Sequence, residues 1–164
     1  MRQLAAGVTL VTTATGGGAR AGLTATAVCS ASADPPQLLA CVNRDAEAHD
    51  LLLASRILAV CLLGVGQRAL ADRFAGRTGV SGEARFAAGR WTTLATGAPV
   101  LEDAPACFDC RIVDTLAAGT HTVLLATVEA TLVRPGIAPL AYLGGGYGSV
   151  RRLPGEPDPE PLQP

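Results

Sequence analysis

A succession of short strand-like segments, separated by turn signals and joined by only two short helical patterns, constrains this chain more than any other feature. Val8 to Ala14 is rich in Val and Thr and stops at Gly16-Gly17-Gly18. Leu23 to Ser30 reads as a second strand, Gln37 to Val42 as a third after Pro35-Pro36, and Arg56 to Leu63 as a continuous apolar run of strand length. Further on, Ala106, Phe108, Cys110 and Ile112 alternate with Asp109 and Arg111, and Val128, Ala130 and Leu132 alternate with Thr127, Glu129 and Thr131. Leu140 to Leu143 makes a last short strand. The helical patterns are Ala46 to Ala54, with Asn43 or Asp45 placed to cap it, and Gln67 to Ala75, stopped by Gly76. Regular βαβ alternation is absent, so the expected fold is mainly β: a closed barrel with short flanking helices. Arg77 to Ala98 carries no clear period, and Phe86 and Trp91 are its expected anchors.

Composition then removes whole classes of function. Hydrophobic residues are 49% and charged ones 16%, enough for one domain with a packed core over residues 1–150. Arg151 to Pro164, which holds five prolines, is expected to be a disordered tail. Aromatics at 4%, a net charge of -1 and no basic cluster before Arg151-Arg152 leave no footprint for nucleic acid. No apolar stretch reaches about 18 residues, so no membrane span is expected. Met1 to Leu4 leads into a strand too soon for a targeting peptide. The odd count of five cysteines, mostly in apolar runs, fits buried thiols in a reducing cytoplasm. All 13 basic residues are Arg, so no lysine Schiff base or lysine general base exists. His49 and His121 are the only side chains that ordinarily titrate near neutrality.

Two motifs are decoys. Gly64-Val65-Gly66-Gln67-Arg68-Ala69 has the dinucleotide-binding spacing, and Glu83 lies 19 residues beyond Gly64. No second parallel strand follows to hold that acid, so a tight turn before a helix is the better reading. Cys107-Phe108-Asp109-Cys110 has metal or dithiol spacing, yet it lies in a strand, where a separation of three puts the two thiols on opposite faces.

Another set of stretches occurs in a fixed order: Gly22-Leu23-Thr24-Ala25-Thr26-Ala27, Asp34-Pro35-Pro36, Cys41-Val42-Asn43-Arg44, Leu70-Ala71-Asp72-Arg73-Phe74-Ala75-Gly76, Gly119-Thr120-His121-Thr122, and Tyr142 to Gly148. In that order they resemble the flavin reductase-like family, from about Gly7 to Gly148. The resemblance implies an FMN-binding split β-barrel that uses NADH or NADPH to reduce FMN (or FAD) and supplies reduced flavin to a partner monooxygenase. It also implies a homodimer with flavin at or near the subunit interface, and a helical segment ahead of the first strand, where Met1 to Ala6 stands here.

The residues suit that chemistry. A flavin asks for an apolar slot with nearby donors, for hydroxyls and a guanidinium at its phosphate, and for one face open to a nicotinamide. The resemblance assigns Thr24, Ala25, Thr26 and Ala27 to the ring, with Thr26 where the family has Ser. Asn43 and Arg44 fall to the phosphate at a strand-to-helix junction, where Asp45-Ala46 replaces the family's Ser residues; His49 is placed one turn into that helix. Phe74, Ala75 and Gly76 close the flavin's side, and Arg77 is a second phosphate or pyrophosphate candidate. His121, following Thr120 where the family often has Asp, is assigned to nicotinamide binding and hydride transfer. Tyr147, flanked by Gly146 and Gly148, is the expected lid. A flavin-binding electron carrier and a split-barrel flavoprotein oxidase that retains its flavin remain alternatives at this stage.

Overall fold

The computed structural model describes residues 3–151 and 153–155; most of the expected tail lies outside them. Its main sheet has seven strands: β2 (Thr9–Ala14), β3 (Arg20–Ala25), β4 (Val28–Ala33), β5 (Pro36–Asn43), β6 (Ile57–Leu62), β9 (Ala106–Ala118) and β10 (His121–Val133). They run in the order β3-β2-β6-β9-β10-β5-β4, with every pair antiparallel. The two edge strands, β3 and β4, are consecutive in sequence. Only Thr26 and Ala27 separate them, so the sheet must curl until its edges meet at that corner. The Cys41 N–H of β5 donates to the Ala27 carbonyl at 2.9 Å and fixes the junction. The architecture is the expected mainly β barrel, with one correction. The segment from Leu23 to Ser30 is not one strand, because its halves pair with different partners, β2 before the corner and β5 after it.

Strand alternation sorts side chains into two cores. Val11, Leu38, Val42, Leu58, Val60, Cys110, Ile112 and Leu124 face inward, and Leu52 from α1 (His49–Ser55) joins them with Ala48, the residue just before that helix. Leu10, Ala59, Cys61 and Cys107 face outward against Leu70, Ala71 and Phe74 of α2 (Arg68–Phe74) and against Val100 and Leu101. Cys107 and Cys110 therefore lie on opposite faces, as their spacing requires. The patternless stretch holds a short 3-10 helix, Gly82–Ala87, and β7 (Trp91–Thr93), which pairs with β8 (Pro99–Leu101). Buried Asp109 secures the loop between them, accepting the Thr96 N–H at 2.7 Å and the Thr96 hydroxyl.

A second sheet joins β1 (Ala6–Gly7), β11 (Leu140–Leu143) and β12 (Gly146–Ser149). Backbone bonds from Val8 to Leu140, Leu63 to Val8 and Leu140 to Leu63 lock it beside the barrel. The hairpin β11–β12 turns through Gly144 and Gly145, at φ 64° and 93°, which suits a two-residue turn needing two left-handed residues. No helix among the described residues is long and apolar enough to cross a membrane.

Candidate active site

A groove runs between the corner of β3 and the end of α2. Two cavities, of about 190 Å³ and about 340 Å³, share Thr24 and Ala75 in their walls, so they are adjoining parts of one cleft. The first adds Val8, Thr26, Arg77, Tyr142 and Tyr147; the second adds Leu23, Asp45, Ala46, Glu47, Phe74 and Arg85.

Two local devices shape it. Gly22 lets α2 lie against β3, because a Cβ there would sit 2.9 Å from Phe74 Cε1 and 3.0 Å from Thr12 Cγ2. The Thr24 hydroxyl then donates to the Ala71 carbonyl at 2.7 Å, tying the strand to the helix. Gly76, at φ 74°, ends α2 with paired bonds: its own N–H to Arg73 O at 3.3 Å and the Arg77 N–H to Asp72 O at 3.0 Å. That turn leaves Ala75 exposed on the groove and returns Arg77 across Asp72.

Asp72 is the hub at this end. Its Oδ1 accepts from Tyr147 Oη and from Arg77 Nη1, both at 2.9 Å. Arg77 also reaches the Tyr147 and Tyr142 hydroxyls at 3.3 and 3.5 Å, and the two tyrosine rings meet edge-on at 5.4 Å. The Tyr147 hydroxyl, then the Arg77 guanidinium, hold the Asp72 carboxyl below the usual carboxylate range. Burial, then the bond to Asp72, pushes the Tyr147 phenol up. The other end is built around Arg85, whose side chain is 12% exposed and spans Gly22 O at 2.9 Å, Val80 O at 3.2 Å and Glu47 Oε2 at 3.3 Å.

The structure thus collects Thr24, Thr26, Phe74, Ala75, Arg77 and Tyr147 on one groove, with Gly76 forming the turn beneath it and Gly148 following in β12. Phe74 is 2% exposed and belongs mainly to the core, packed on Phe86 and Trp91 at ring separations of 5.1 and 5.6 Å. Ala25 turns into the barrel, as strand parity between Thr24 and Thr26 demands, and exposed Ala27 forms the corner. Asn43 does not cap a helix. Its Oδ1 takes the Asp45 N–H at 3.1 Å, and the resulting turn delays α1 to His49. Arg44 is exposed on that turn, outside the groove lining, with its N–H on the Thr120 carbonyl.

His49 requires a correction. It opens α1 instead of standing a turn inside it, and it is 8% exposed. One ring nitrogen is 2.9 Å from Thr122 Oγ1 and the other 2.8 Å from Asp50 Oδ1, so both have partners within the chain. His121 begins β10 opposite Asn43, after a two-residue turn that needs Gly119 at φ 59°. Its Nδ1 lies 2.8 Å from the Thr120 hydroxyl, and it does not line either cavity.

Sequence reasoning missed Glu47 and Arg85 as groove residues, and Asp72 as the residue that holds Arg77 and Tyr147 there. Asp72 lies inside a quoted motif and one turn before Gly76, a signal that could have exposed it; Arg85 lies in the stretch without period. The dinucleotide-like motif is also accounted for. Gly64 N–H bonds to Gln67 Oε1 at 2.9 Å in a turn ahead of α2, and Glu83 is held by Arg20.

Residues 1–151 match the family described as flavin reductase like domain. The chain belongs to the flavin reductase-like family. Among its relatives, a protein named FMN reductase (NADH) RutF from Variovorax paradoxus (strain S110) is 44% identical over 94% of this chain and 84% of its own. One named FMN reductase (NADH) RutF 2, from Methylorubrum extorquens (strain PA1), is 48% identical over 96% and 90%. In three dimensions this flavin reductase-like chain superposes on a putative flavin reductase from Haemophilus somnus 129PT with a TM-score of 0.86 at 39% identity, covering 92% and 94% of the two chains. A Streptomyces globisporus NADH:FAD oxidoreductase, solved with NAD and FAD fragments, gives a TM-score of 0.81 at 30% identity over 96% and 90%.

Proposed function

We propose that the protein is an NADH-dependent FMN reductase that binds flavin in the groove between β3 and α2. The observation that carries this reading is the groove itself. Small residues at Ala75 and Ala46 admit a planar ring, the Thr26 hydroxyl stands exposed at the corner, and a guanidinium lines each end. That set fits a flavin ring: small side chains along the slot, a hydroxyl beside it, and at each end a guanidinium paired with a carboxylate. The names of the relatives favour FMN over FAD and NADH over NADPH.

The chemistry supplied by the two bound nucleotides is hydride transfer from nicotinamide C4 to flavin N5, with no covalent bond to the protein. The chain's own residues bind, orient and exclude water. Asp72 pins Tyr147, and Arg77 bridges Tyr147 to Tyr142, so the β11–β12 hairpin forms a fixed wall over one end of the ring slot. His121 belongs at the nicotinamide in this reading, with its Nδ1 oriented by Thr120 in place of a carboxylate. The ring of His49 is assigned to the fold.

Three further parts belong to this reading. The reduced flavin leaves for a partner monooxygenase; a neighbour at 29% identity is named the flavin reductase component of a two-component tryptophan halogenase. The active form is a homodimer, favoured by the exposed Leu116 and Val113 on the projecting β9–β10 arm and tested by light scattering. The compartment is the cytoplasm, in keeping with five free thiols.

Anaerobic stopped-flow mixing of protein, excess FMN and NADH tests the activity. Many flavins bleached per protein establish a reductase. A single equivalent bleached points to a carrier, and none refutes the proposal. His121→Ala should raise KM for NADH or lower kcat while flavin affinity holds; unchanged kinetics would remove His121 from the mechanism.

A further inference from the structure

Both cations that line the groove are already held by carboxylates of the chain. Arg77 is bound to Asp72, and Arg85 to Glu47. The second pair has no lid to explain it. Glu47 Oε2 lies 3.3 Å from Arg85 Nη2 and also accepts the Gly82 N–H at 3.1 Å. Its carboxylate therefore pairs with one guanidinium charge and accepts one backbone N–H, the company an anionic oxygen seeks. Arg85 has little freedom to offer more, since Nη1 and Nε are spent on the carbonyls of Gly22 and Val80. Asp45 lines the same cavity and adds a second negative charge.

We infer that Glu47 is a specificity-determining residue: its carboxylate occupies the anion position of the groove, so that the protein recognises a flavin by its ring and not by its phosphate, and takes riboflavin about as readily as FMN. The inference rests on the flavin placement proposed above. A phosphate carries a charge of about -1.5 to -2 near neutral pH. To reach Arg85 it must displace Glu47 or lie beside both carboxylates, and either course removes the gain that a phosphate ordinarily draws from a buried guanidinium. Turning the ligand end for end brings no relief, because Arg77 is neutralised by Asp72 in the same manner. Riboflavin ends in a hydroxyl and meets neither obstacle. A weakly held phosphate also suits a protein that must release its product.

The test is equilibrium titration of the protein with FMN and with riboflavin, read by quenching of flavin fluorescence, for the natural sequence and for Glu47→Gln. The glutamine keeps an acceptor for the Gly82 N–H and removes the charge. For the natural sequence we expect the two dissociation constants to agree within about fivefold, and for Glu47→Gln we expect their ratio to move toward FMN by about tenfold, the size of one charge-assisted hydrogen bond. FMN bound more than about fivefold tighter than riboflavin by the natural sequence overturns the inference without recourse to a variant. So does a ratio that Glu47→Gln leaves in place. Failure of the reductase reading would show separately, as NADH left unoxidised with either flavin, whereas the affinity ratio is read without turnover.

Discussion

Replacing Gly22 by alanine tests how the groove is built. A Cβ at this position would lie 2.9 Å from Phe74 Cε1, 3.0 Å from Thr12 Cγ2 and 3.1 Å from the Val11 carbonyl oxygen. None of the three can retreat cheaply. Phe74 is wedged between Phe86 and Trp91, the Thr12 hydroxyl is bonded to the Pro99 carbonyl at 2.5 Å, and the Val11 carbonyl belongs to the central sheet. Overpacking of this kind costs about 1–3 kcal/mol. Alanine returns about 0.4–1 kcal/mol by restricting the unfolded chain, because the φ here is not left-handed. The expected net loss is therefore about 1–2 kcal/mol, seen as a fall in Tm of about 2–8 °C for a chain of this size. Phe74 must move to admit the methyl, and Ala75 moves with it, so FMN affinity should fall in the same variant. Differential scanning calorimetry and flavin titration read the two effects. Gly66→Ala is the control, since a Cβ there meets nothing within 4 Å. A Gly22→Ala protein that melts at the natural temperature, or that melts lower while binding FMN unchanged, would refute the claim that this close approach sets the groove floor.

Tyr147→Phe removes the bonds to Asp72 and Arg77 but keeps the ring, and it should raise KM for NADH without lowering Tm. The same contact sets a pH window. Asp72 titrates below the ordinary 3.8, so its contribution is full above that value and is lost as pH falls through the lowered one; Tyr147 titrates above the ordinary 10.0, so its contribution is full below that value and is lost as pH rises through the raised one. KM for NADH should be free of any change arising at this contact between 3.8 and 10.0, and a step within that range that Tyr147→Phe abolishes would contradict the assignment. His49→Ala strands the buried Thr122 hydroxyl and should cost about 1–3 kcal/mol in urea unfolding with flavin affinity intact; a change in affinity would return His49 to the site. Cys29 should alkylate rapidly in the native protein, while Cys61, Cys107 and Cys110 wait for unfolding; all three are buried, and burial pushes the Cys110 thiol up to about 12.

The strands that sequence reasoning located are those whose neighbours impose a pattern. Val8 to Ala14 and Arg56 to Leu63 form interior strands of the sheet, covered on both faces, and read as continuous apolar or Val-Thr runs. β9 and β10 were legible only over their covered portions. From Val113 to Thr120 the hairpin stands clear of the barrel, both faces meet solvent, and alternation loses its cause. The corner at Thr26 and Ala27 left no mark either. Thr, Ala and Val suit both halves of that segment, and the break comes from a change of pairing partner, which a local window does not register. The same holds for β7 and β8, three residues each, whose pairing brings Trp91 opposite Leu101.

Within the groove, motif spacing reached the residues whose place is set by the backbone: Thr24 and Thr26 by strand parity, Ala75 and Arg77 by the glycine turn that ends α2. That the Ala25 side chain faces the barrel follows from the sequence itself, since it lies between two groove-facing threonines. The burial of His49 does not, because its inward turn depends on Thr122, seventy-three residues away. Glu47 and Arg85 belong to this second kind. Each alone is an ordinary surface charge by composition; together, across the gap between a loop and a 3-10 helix, they decide whether the groove presents a cation or a neutral pair to its ligand. The proposed ring slot is thus built locally, from small residues and a turn, and can be inferred from motifs. In the inference drawn above, recognition of the ligand's charge rests on a tertiary pairing that no quoted stretch records.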